Sequence, residues 1–188
     1  MSEHGDVIYD WNVKGHTVTP LLRQIEYLDE TLRDGIQCPS VTDPSVDAKL
    51  EIVRLLDSVG VHHLDMGLPG AGPRAVEDCT LIAELIRDEK LNIKASCAAR
   101  THPNDLQPII DITQKTGVPI EALTFLGTSP IRLYTEGWDE DLLEKRTRTA
   151  VRMCKDAGLE VTFVTEDTVR SHPGTLHRLF TAAIEEGA

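Results

Sequence analysis

Short β-rich runs alternate with amphipathic helical runs along most of this 188-residue sequence, with a period of about thirty residues. Five strand–helix units follow residues 1–23, which have low periodicity and are interpreted as an N-terminal arm. Alternation of this kind predicts an α/β fold in which a parallel sheet is connected by helical crossovers. The predicted strands are 24–32, 61–69, 91–99, 120–129 and 159–167, and the predicted helices are 43–60, 73–88, 103–116, 139–157 and 173–186.

Polar residues recur with the same period, each at the end of a predicted strand. They are Asp34, Asp65, Arg100, Ser129 and Glu166, with spacings of 31, 35, 29 and 37 residues. In a (β/α)₈ barrel, the carboxyl ends of the strands converge on the face that carries the active site. In an open doubly wound sheet, the same positions line the ligand-binding edge. Either architecture therefore concentrates these side chains at one site.

The length leaves the choice between these architectures open. A closed (β/α)₈ barrel takes about 250 residues, whereas this sequence provides only five units. One interpretation is a TIM-barrel fold of which residues 24–188 form an incomplete part. The other is a five-stranded open sheet of the flavodoxin type, which suits this length.

Composition narrows the class of protein. The sequence is 40% hydrophobic and 27% charged, which is typical of a globular domain. Its net charge of −12 argues against a nucleic-acid partner, because phosphate contacts need clustered Lys and Arg. No apolar run reaches the roughly 20 residues of a membrane span, and the N-terminus has no signal-peptide pattern. We therefore expect a cytoplasmic protein with four reduced cysteines and no membrane partner.

The segment T-L-R-D-G, residues 31–35, combines a carboxylate and a guanidinium at the end of the first predicted strand. Asp34 suits a divalent-metal ligand, and Arg33 could hold a substrate carboxylate or an enolate oxygen. The alternative is that Arg33 and Asp34 form ordinary ion pairs in a loop.

The later strand ends offer further candidates. Asp65 is flanked by apolar residues, and Arg100 is a second cation for an anionic substrate. Ser129 lies beside Thr128 in a loop that also carries Arg132, and Thr165 precedes Glu166. Glu166 is the best placed general acid or base if burial raises its pKa towards neutrality.

Four segments together resemble the DRE-TIM metallolyases, the group that contains 2-isopropylmalate synthase, homocitrate synthase and hydroxymethylglutaryl-CoA lyase. L-D-E-T-L-R-D-G-I-Q, residues 28–37, resembles the first-strand signature D-x-T-L-R-D-G-x-Q of that family. L-D-M-G-L-P, residues 64–69, stands where the family has I-E-x-G-x-P. Residues 123–134 and 163–171 resemble its fourth-strand and fifth-strand segments. Because the four occur in the family's order and spacing, the resemblance favours the incomplete barrel over the open sheet.

The resemblance implies an acyltransferase that condenses acetyl-CoA with a 2-oxo acid in a Claisen reaction that depends on a divalent metal such as Mg, Mn or Zn. In the family, the acetyl-CoA enolate attacks the ketone of the metal-chelated 2-oxo acid, and hydrolysis of the thioester follows. Asp34 matches the metal ligand, Arg33 the residue that steadies the keto or enolate oxygen, and Glu166 an acidic active-site residue. Gln37 and Asp65 match positions beside the bound substrates. A carbon–carbon lyase of the hydroxymethylglutaryl-CoA lyase or aldolase type is the alternative activity.

The sequence departs from the family pattern at three points. Asp65 is one methylene shorter than the usual Glu, and Ile36 stands where Glu is common. The H-x-H pair that completes the family's metal site, on its seventh strand, has no counterpart among the seven histidines of this sequence. We therefore expect a longer form, a homo-oligomer or a second chain to complete the barrel. A non-catalytic binding or structural subunit is the alternative from another class.

Overall fold

The computed structural model of the protein describes residues 25–188, so the predicted N-terminal arm, residues 1–23, lies outside the described residues. Five strands form one parallel sheet. They are β1 (Leu28–Asp29), β2 (His63–Asp65), β3 (Lys94–Arg100), β4 (Ile120–Gly127) and β5 (Val161–Glu166). The helices of this region are α1 (Val46–Ser58), α2 (Pro73–Asp88), α3 (Pro103–Thr116), α4 (Pro130–Glu136), α5 (Glu140–Asp156) and α6 (Pro173–Glu185).

The order of the strands decides between the two predicted architectures. Each strand pairs with its neighbours in sequence, in the order β1-β2-β3-β4-β5. A flavodoxin-type sheet has the order 2-1-3-4-5 because its winding reverses at a switch point. An order without reversal is that of a (β/α)₈ barrel. The open-sheet alternative is therefore wrong, and the five units form a curled half-barrel, as the incomplete TIM-barrel interpretation predicted.

Helices cover only the outer face of this half-barrel. Right-handed crossovers place every helix on the same side of a sheet whose winding does not reverse. In β5 the side chains of Val161 and Phe163 are buried, whereas those of Thr162 and Val164, which point to the opposite face, are exposed. In the described part of the chain, the inner face of β5 therefore has no covering layer.

The core lies between the sheet and the helices. Ile82 of α2, Ile109 of α3, Leu143 of α5 and Leu179 of α6 are completely buried there. On the strands, Leu64 of β2 is equally buried. This outer core fixes the strand ends from which the candidate site projects.

The first strand is shorter than predicted, because its polar residues form a turn. The Asp29 carboxylate accepts hydrogen bonds from the backbone and hydroxyl of Thr31, at 2.9 and 3.0 Å. The Glu30 carbonyl then accepts the backbone N–H groups of Arg33, Asp34 and Gly35. A side chain that bonds to its own backbone two residues on initiates a turn in place of a sheet ladder. The chain therefore leaves β1 after Asp29 and enters the T-L-R-D-G segment as a turn.

Helix α1 also begins later than predicted. Ser45 is its N-cap, and its hydroxyl accepts the Ala48 N–H at 3.3 Å. Asp43, the expected N-cap, instead directs its carboxylate to Lys49 and Arg74, at 2.8 Å each. The short helix α4, between β4 and α5, was not predicted at all.

Candidate active site

The guanidinium of Arg33 connects the carboxyl ends of β1 and β2. Its side chain is only a quarter exposed. Nε donates to Asp65 Oδ2 at 3.3 Å, Nη1 donates to Asp34 Oδ1 at 3.4 Å, and Nη2 donates to the Glu30 carboxylate. A guanidinium has five N–H groups, so two remain for a ligand. The closely spaced charges of this segment are therefore held together by Arg33 itself, at the mouth of the half-barrel.

Asp65 is completely buried beneath Arg33. Its Oδ1 accepts the backbone N–H groups of Gly67 and Ala98, at 3.1 and 3.3 Å. Burial raises the pKa of Asp65 to about 7, although the Gly67 hydrogen bond and the Arg33 charge act in the opposite direction. Asp65 therefore combines a fixed position with a proton that exchanges near neutral pH.

Asp34 and Gln37 lie in the loop that follows β1, and both are exposed. Gln37 ends a 3₁₀ turn, Gly35–Gln37, and the Asp34 side chain is 69% exposed. In the region 25–188, no three His, Cys, Asp or Glu side chains are grouped so that they could hold a metal ion. A single exposed carboxylate does not make a divalent-metal site, which needs several oxygen ligands. The described residues therefore supply one candidate ligand, Asp34, and do not fit a complete site.

A buried ion-pair network anchors the loop that carries Asp34 and Gln37. The Lys49 ammonium is 2.8 Å from Asp43 Oδ1 and 2.8 Å from Asp78 Oδ2, which joins the end of the loop to α2. Lys49 and Asp78 line a cleft of about 430 Å³ together with Arg33 and Gln37. The network therefore fixes part of the wall of the cleft that Arg33 also lines.

Arg100 and Glu166 come together in a second cleft, of about 500 Å³, at the carboxyl ends of β3, β4 and β5. Arg100 forms a bidentate pair with the buried Asp105, at 2.6 and 2.9 Å. The Glu166 side chain is 44% exposed, and its carboxylate lies 3.8 Å from Arg132 Nη2. Glu166 is therefore within reach of a ligand, but it is not the buried carboxyl group that its expected role as an acid or base assumed.

Ser129 and Thr165 have hydroxyls that are already hydrogen-bonded. Ser129 is the N-cap of α4, where its buried Oγ accepts the Arg132 N–H at 3.3 Å and donates to Asp167 Oδ2 at 3.0 Å. The hydroxyls of Thr165 and Thr168 are 2.7 Å apart. Ser129 is completely buried, so its hydroxyl does not face a ligand in this arrangement, whereas the Thr165 hydroxyl is partly exposed and keeps acceptor capacity.

The second cleft also contains a cluster that sequence reasoning did not identify as a unit. Arg132 and Arg146 both lie over the indole ring of Trp138, with guanidinium carbons 6.0 and 4.4 Å from the ring centroid. The sequence showed Arg132 in its loop but gave no signal for Trp138 or Arg146. Trp138 lies just before α5 and Arg146 lies within it. Only the placement of α4 and α5 brings both residues to the same cleft as Arg132.

Two glycines allow close packing around this cleft. A Cβ at Gly127 would lie 2.6 Å from Arg132 Cγ, so the arginine stem crosses the end of β4 only because no side chain is present. A Cβ at Gly70 would lie 2.8 Å from Asp105 Cγ, the partner of Arg100. Both arginines therefore depend on glycine for their positions.

No helix between residues 25 and 188 combines the length and the hydrophobicity that crossing a bilayer requires.

Comparison with known proteins agrees with this geometry. A sequence model of the HMGL-like family matches residues 24–188. The chain is 33% identical to 2-isopropylmalate synthase of Heliobacterium modesticaldum over 168 residues, which are 88% of this chain and 31% of that protein. It is 36% identical to homocitrate synthase AksA of Methanopyrus kandleri over 162 residues, 85% of this chain and 38% of that protein. Homocitrate synthase AksA of Methanocaldococcus jannaschii is 32% identical over 89% of this chain and 39% of its own length.

The chain thus spans between about a third and two fifths of the relatives that it matches. The family match covers all five strand–helix units, and it agrees with the four motif segments and with the curled half-barrel. The chain therefore belongs to the HMGL-like family, the DRE-TIM metallolyases.

Proposed function

We propose that the chain is the β1-to-α6 part of an acyltransferase of the 2-isopropylmalate or homocitrate synthase type. The reaction is a metal-dependent Claisen condensation of acetyl-CoA with a 2-oxo acid. The observation that carries the proposal is the fixed guanidinium of Arg33 at the mouth of the half-barrel, held by carboxylates from two strand ends. The similarity to synthases over most of the chain supports it.

The chemistry needs a stabilised oxyanion. A base removes a proton from the methyl group of acetyl-CoA, and the enolate carbon forms a bond to the carbonyl carbon of the 2-oxo acid. The carbonyl oxygen becomes an alkoxide and is protonated, and water then hydrolyses the thioester to release CoA. A preorganised donor at a developing oxyanion contributes roughly 3–4 kcal/mol to such steps. The two free N–H groups of Arg33 are suited to that role because its other donors hold it in place.

The remaining candidates have complementary roles. Glu166 lines the second cleft and matches an acidic active-site residue of the family, so we assign it the role of general acid or base. Gln37 and Arg100 line the two clefts and would contact the substrates, whereas the buried Asp65 would support the 2-oxo acid site by holding Arg33. Arg100 retains three N–H groups beyond its pair with Asp105. Thr165 could accept a hydrogen bond from the substrate, whereas the buried Ser129 would contact it only after a rearrangement.

We propose that the other metal ligands and the remaining strands of the barrel come from residues outside 25–188. Asp34 is the ligand that this region offers, and no step above depends on the metal. Because the inner face of β5 is uncovered, strands from a longer form of the chain or from a companion chain would complete the barrel. The intact enzyme would be a cytoplasmic protein of amino-acid biosynthesis.

The test is an assay of CoA release by the protein with any chain that co-purifies. Acetyl-CoA is supplied with a panel of 2-oxo acids and Mg²⁺, Mn²⁺ or Zn²⁺. Release should depend on one 2-oxo acid and on the metal, and Arg33→Gln should lower kcat roughly 100-fold or more. Arg152→Gln, on the outer surface of α5, is the control and should change kcat less than twofold.

Other outcomes separate the alternatives. Cleavage of hydroxymethylglutaryl-CoA to acetyl-CoA and acetoacetate, without condensation, would identify a lyase and refute the synthase. No reaction in either direction from a complex that binds metal would indicate a non-catalytic subunit.

A further inference from the structure

The outer part of the second cleft contains more hydrogen-bond donors than the protein uses. In the part of the chain that the structure describes, the guanidinium groups of Arg132 and Arg146 donate no hydrogen bond. Among residues 25–188, the carboxylates near Arg132 are those of Glu136 at 3.6 Å and Glu166 at 3.8 Å, and none lies within 4.0 Å of Arg146. Two guanidinium groups present ten N–H donors, so this wall of the cleft is suited to a ligand rich in acceptor oxygens.

The two guanidinium groups are held in place by an aromatic platform. Trp138 is half-buried against the core, and its ring has the Arg146 guanidinium at 4.4 Å and the Arg132 guanidinium at 6.0 Å. Stacking on indole is favourable for a guanidinium and leaves its edge donors available. Because the stem of Arg132 also lies against Gly127, its approach to the cleft is fixed from a second side.

The number of donors indicates the class of ligand. One guanidinium satisfies one carboxylate in a bidentate pair, and Arg100 already shows this with Asp105. Two guanidinium groups that lie over the same indole ring and line one cleft are suited to a group with more oxygens, and a diphosphate provides them. A cleft of about 500 Å³ also has room for much more than a small carboxylic acid.

We propose that Arg132, Arg146 and Trp138 form a binding site for the diphosphate group of a ligand. Arg146 has the larger role, because Glu136 and Glu166 compete with the ligand only for Arg132. The diphosphate could belong to coenzyme A, in which case the site rests on the proposed function, or to a free nucleoside diphosphate.

The experiment is isothermal titration calorimetry of the full chain, with any chain that co-purifies, against inorganic pyrophosphate, ADP and coenzyme A. All three should bind, and Arg146→Gln should weaken each by roughly 10- to 100-fold, the range for hydrogen bonds to a charged group. Arg146→Lys keeps the charge but loses the planar donor pair, so it should bind with intermediate affinity. Arg152→Gln, which removes a charge from the same helix outside the cleft, should bind within twofold of wild type. Circular dichroism shows whether each variant is folded.

The outcomes separate the two sources and the two proposals. If coenzyme A binds more tightly than ADP, and Arg146→Gln raises the KM for acetyl-CoA without changing kcat, the source is the co-substrate. If ADP binds at least as tightly and does not compete with acetyl-CoA, the source is a free nucleotide. Affinity unchanged in folded Arg146→Gln, or no saturable binding of pyrophosphate by wild type, overturns the site. Diphosphate binding in a protein without condensation activity overturns only the proposed function.

Discussion

Replacing Asp65 with asparagine tests the unusual environment beneath Arg33. Asp65 is completely buried and accepts two backbone N–H groups through Oδ1, a role that an amide oxygen can retain. The amide therefore resembles the protonated acid in shape and charge. The variant side chain lacks ionisation and also lacks the Oδ2 acceptor of the Arg33 Nε–H group. The lost acceptor adds a contribution that does not depend on pH, so the pH-dependent part of the difference in stability isolates the cost of burying the charge.

The pKa shift gives the magnitude and sign of the effect. Burial raises the pKa of Asp65 from 3.8 to about 7, so the native state binds this proton more tightly than the unfolded state does. Between about pH 4 and pH 7, the wild-type free energy of unfolding should fall as pH rises, because the native state binds more protons. A shift of about three pKa units corresponds to about 4 kcal/mol. The free energy of unfolding of Asp65→Asn, relative to wild type, should therefore rise by about 4 kcal/mol between pH 4 and pH 8.

Urea unfolding followed by far-ultraviolet circular dichroism, at several pH values from 4.5 to 8, measures this difference. Groups whose pKa values are lowered in both proteins, such as Glu144 and Glu186, cancel when the variant is subtracted from wild type. Asp88→Asn is a control, because its effect on the pH dependence of stability should have the opposite sign. The hydrogen bond from Arg87 lowers the pKa of Asp88, so its stabilisation is present at neutral pH and lost as pH falls. A difference between Asp65→Asn and wild type that is constant with pH, or one that falls as pH rises, would contradict this explanation.

Three further changes test the packing around the clefts. Lys49→Met leaves the carboxylates of Asp43 and Asp78 with Arg74 as their remaining cation, at 2.8 and 3.9 Å, and urea unfolding at pH 7 should show a loss of roughly 1–3 kcal/mol; an unchanged midpoint would contradict the anchoring network. Gly127→Ala should displace Arg132 and weaken pyrophosphate binding severalfold in calorimetry while circular dichroism stays native; unchanged affinity would count against the packing. Arg178→Gln removes ion pairs between α5 and α6 and should lower Tm slightly at low salt but not in 1 M NaCl; a large loss that persists in salt would contradict a surface role.

The architecture could be predicted because the period of the sequence fixes where strand ends fall. Asp65 follows Asp34 by one strand–helix unit, and the structure brings both carboxylates to Arg33. Pattern alone could not choose between barrel and open sheet, since both place helices between parallel strands. The choice depends on the order of strands within the sheet, which is a property of long-range pairing.

Local hydrogen bonds account for the boundaries that the sequence predicts wrongly. The pattern of apolar residues makes Asp29 a strand residue and Asp43 a helix cap. The Asp29 carboxylate instead starts a turn at Thr31, and the Asp43 carboxylate joins the Lys49 network. That pattern does not reveal which partner a carboxylate will take.

The Trp138 cluster was beyond sequence reasoning for a different reason. Trp138 and Arg146 belong to a helix–helix junction where no strand end marks a site. A tryptophan and two arginines within fifteen residues indicate nothing until α4 and α5 place them around one cleft.

Native mass spectrometry of the protein purified from its own host, with metal analysis of the same sample, would show whether this chain is part of a complete metal-binding barrel. We expect the chain to occur as a longer form or together with a second chain, with one divalent metal per completed barrel. A soluble 188-residue chain that is alone, metal-free and unable to release CoA from acetyl-CoA would contradict it. Arg33 and Asp34 would then belong to a site without catalysis in this polypeptide.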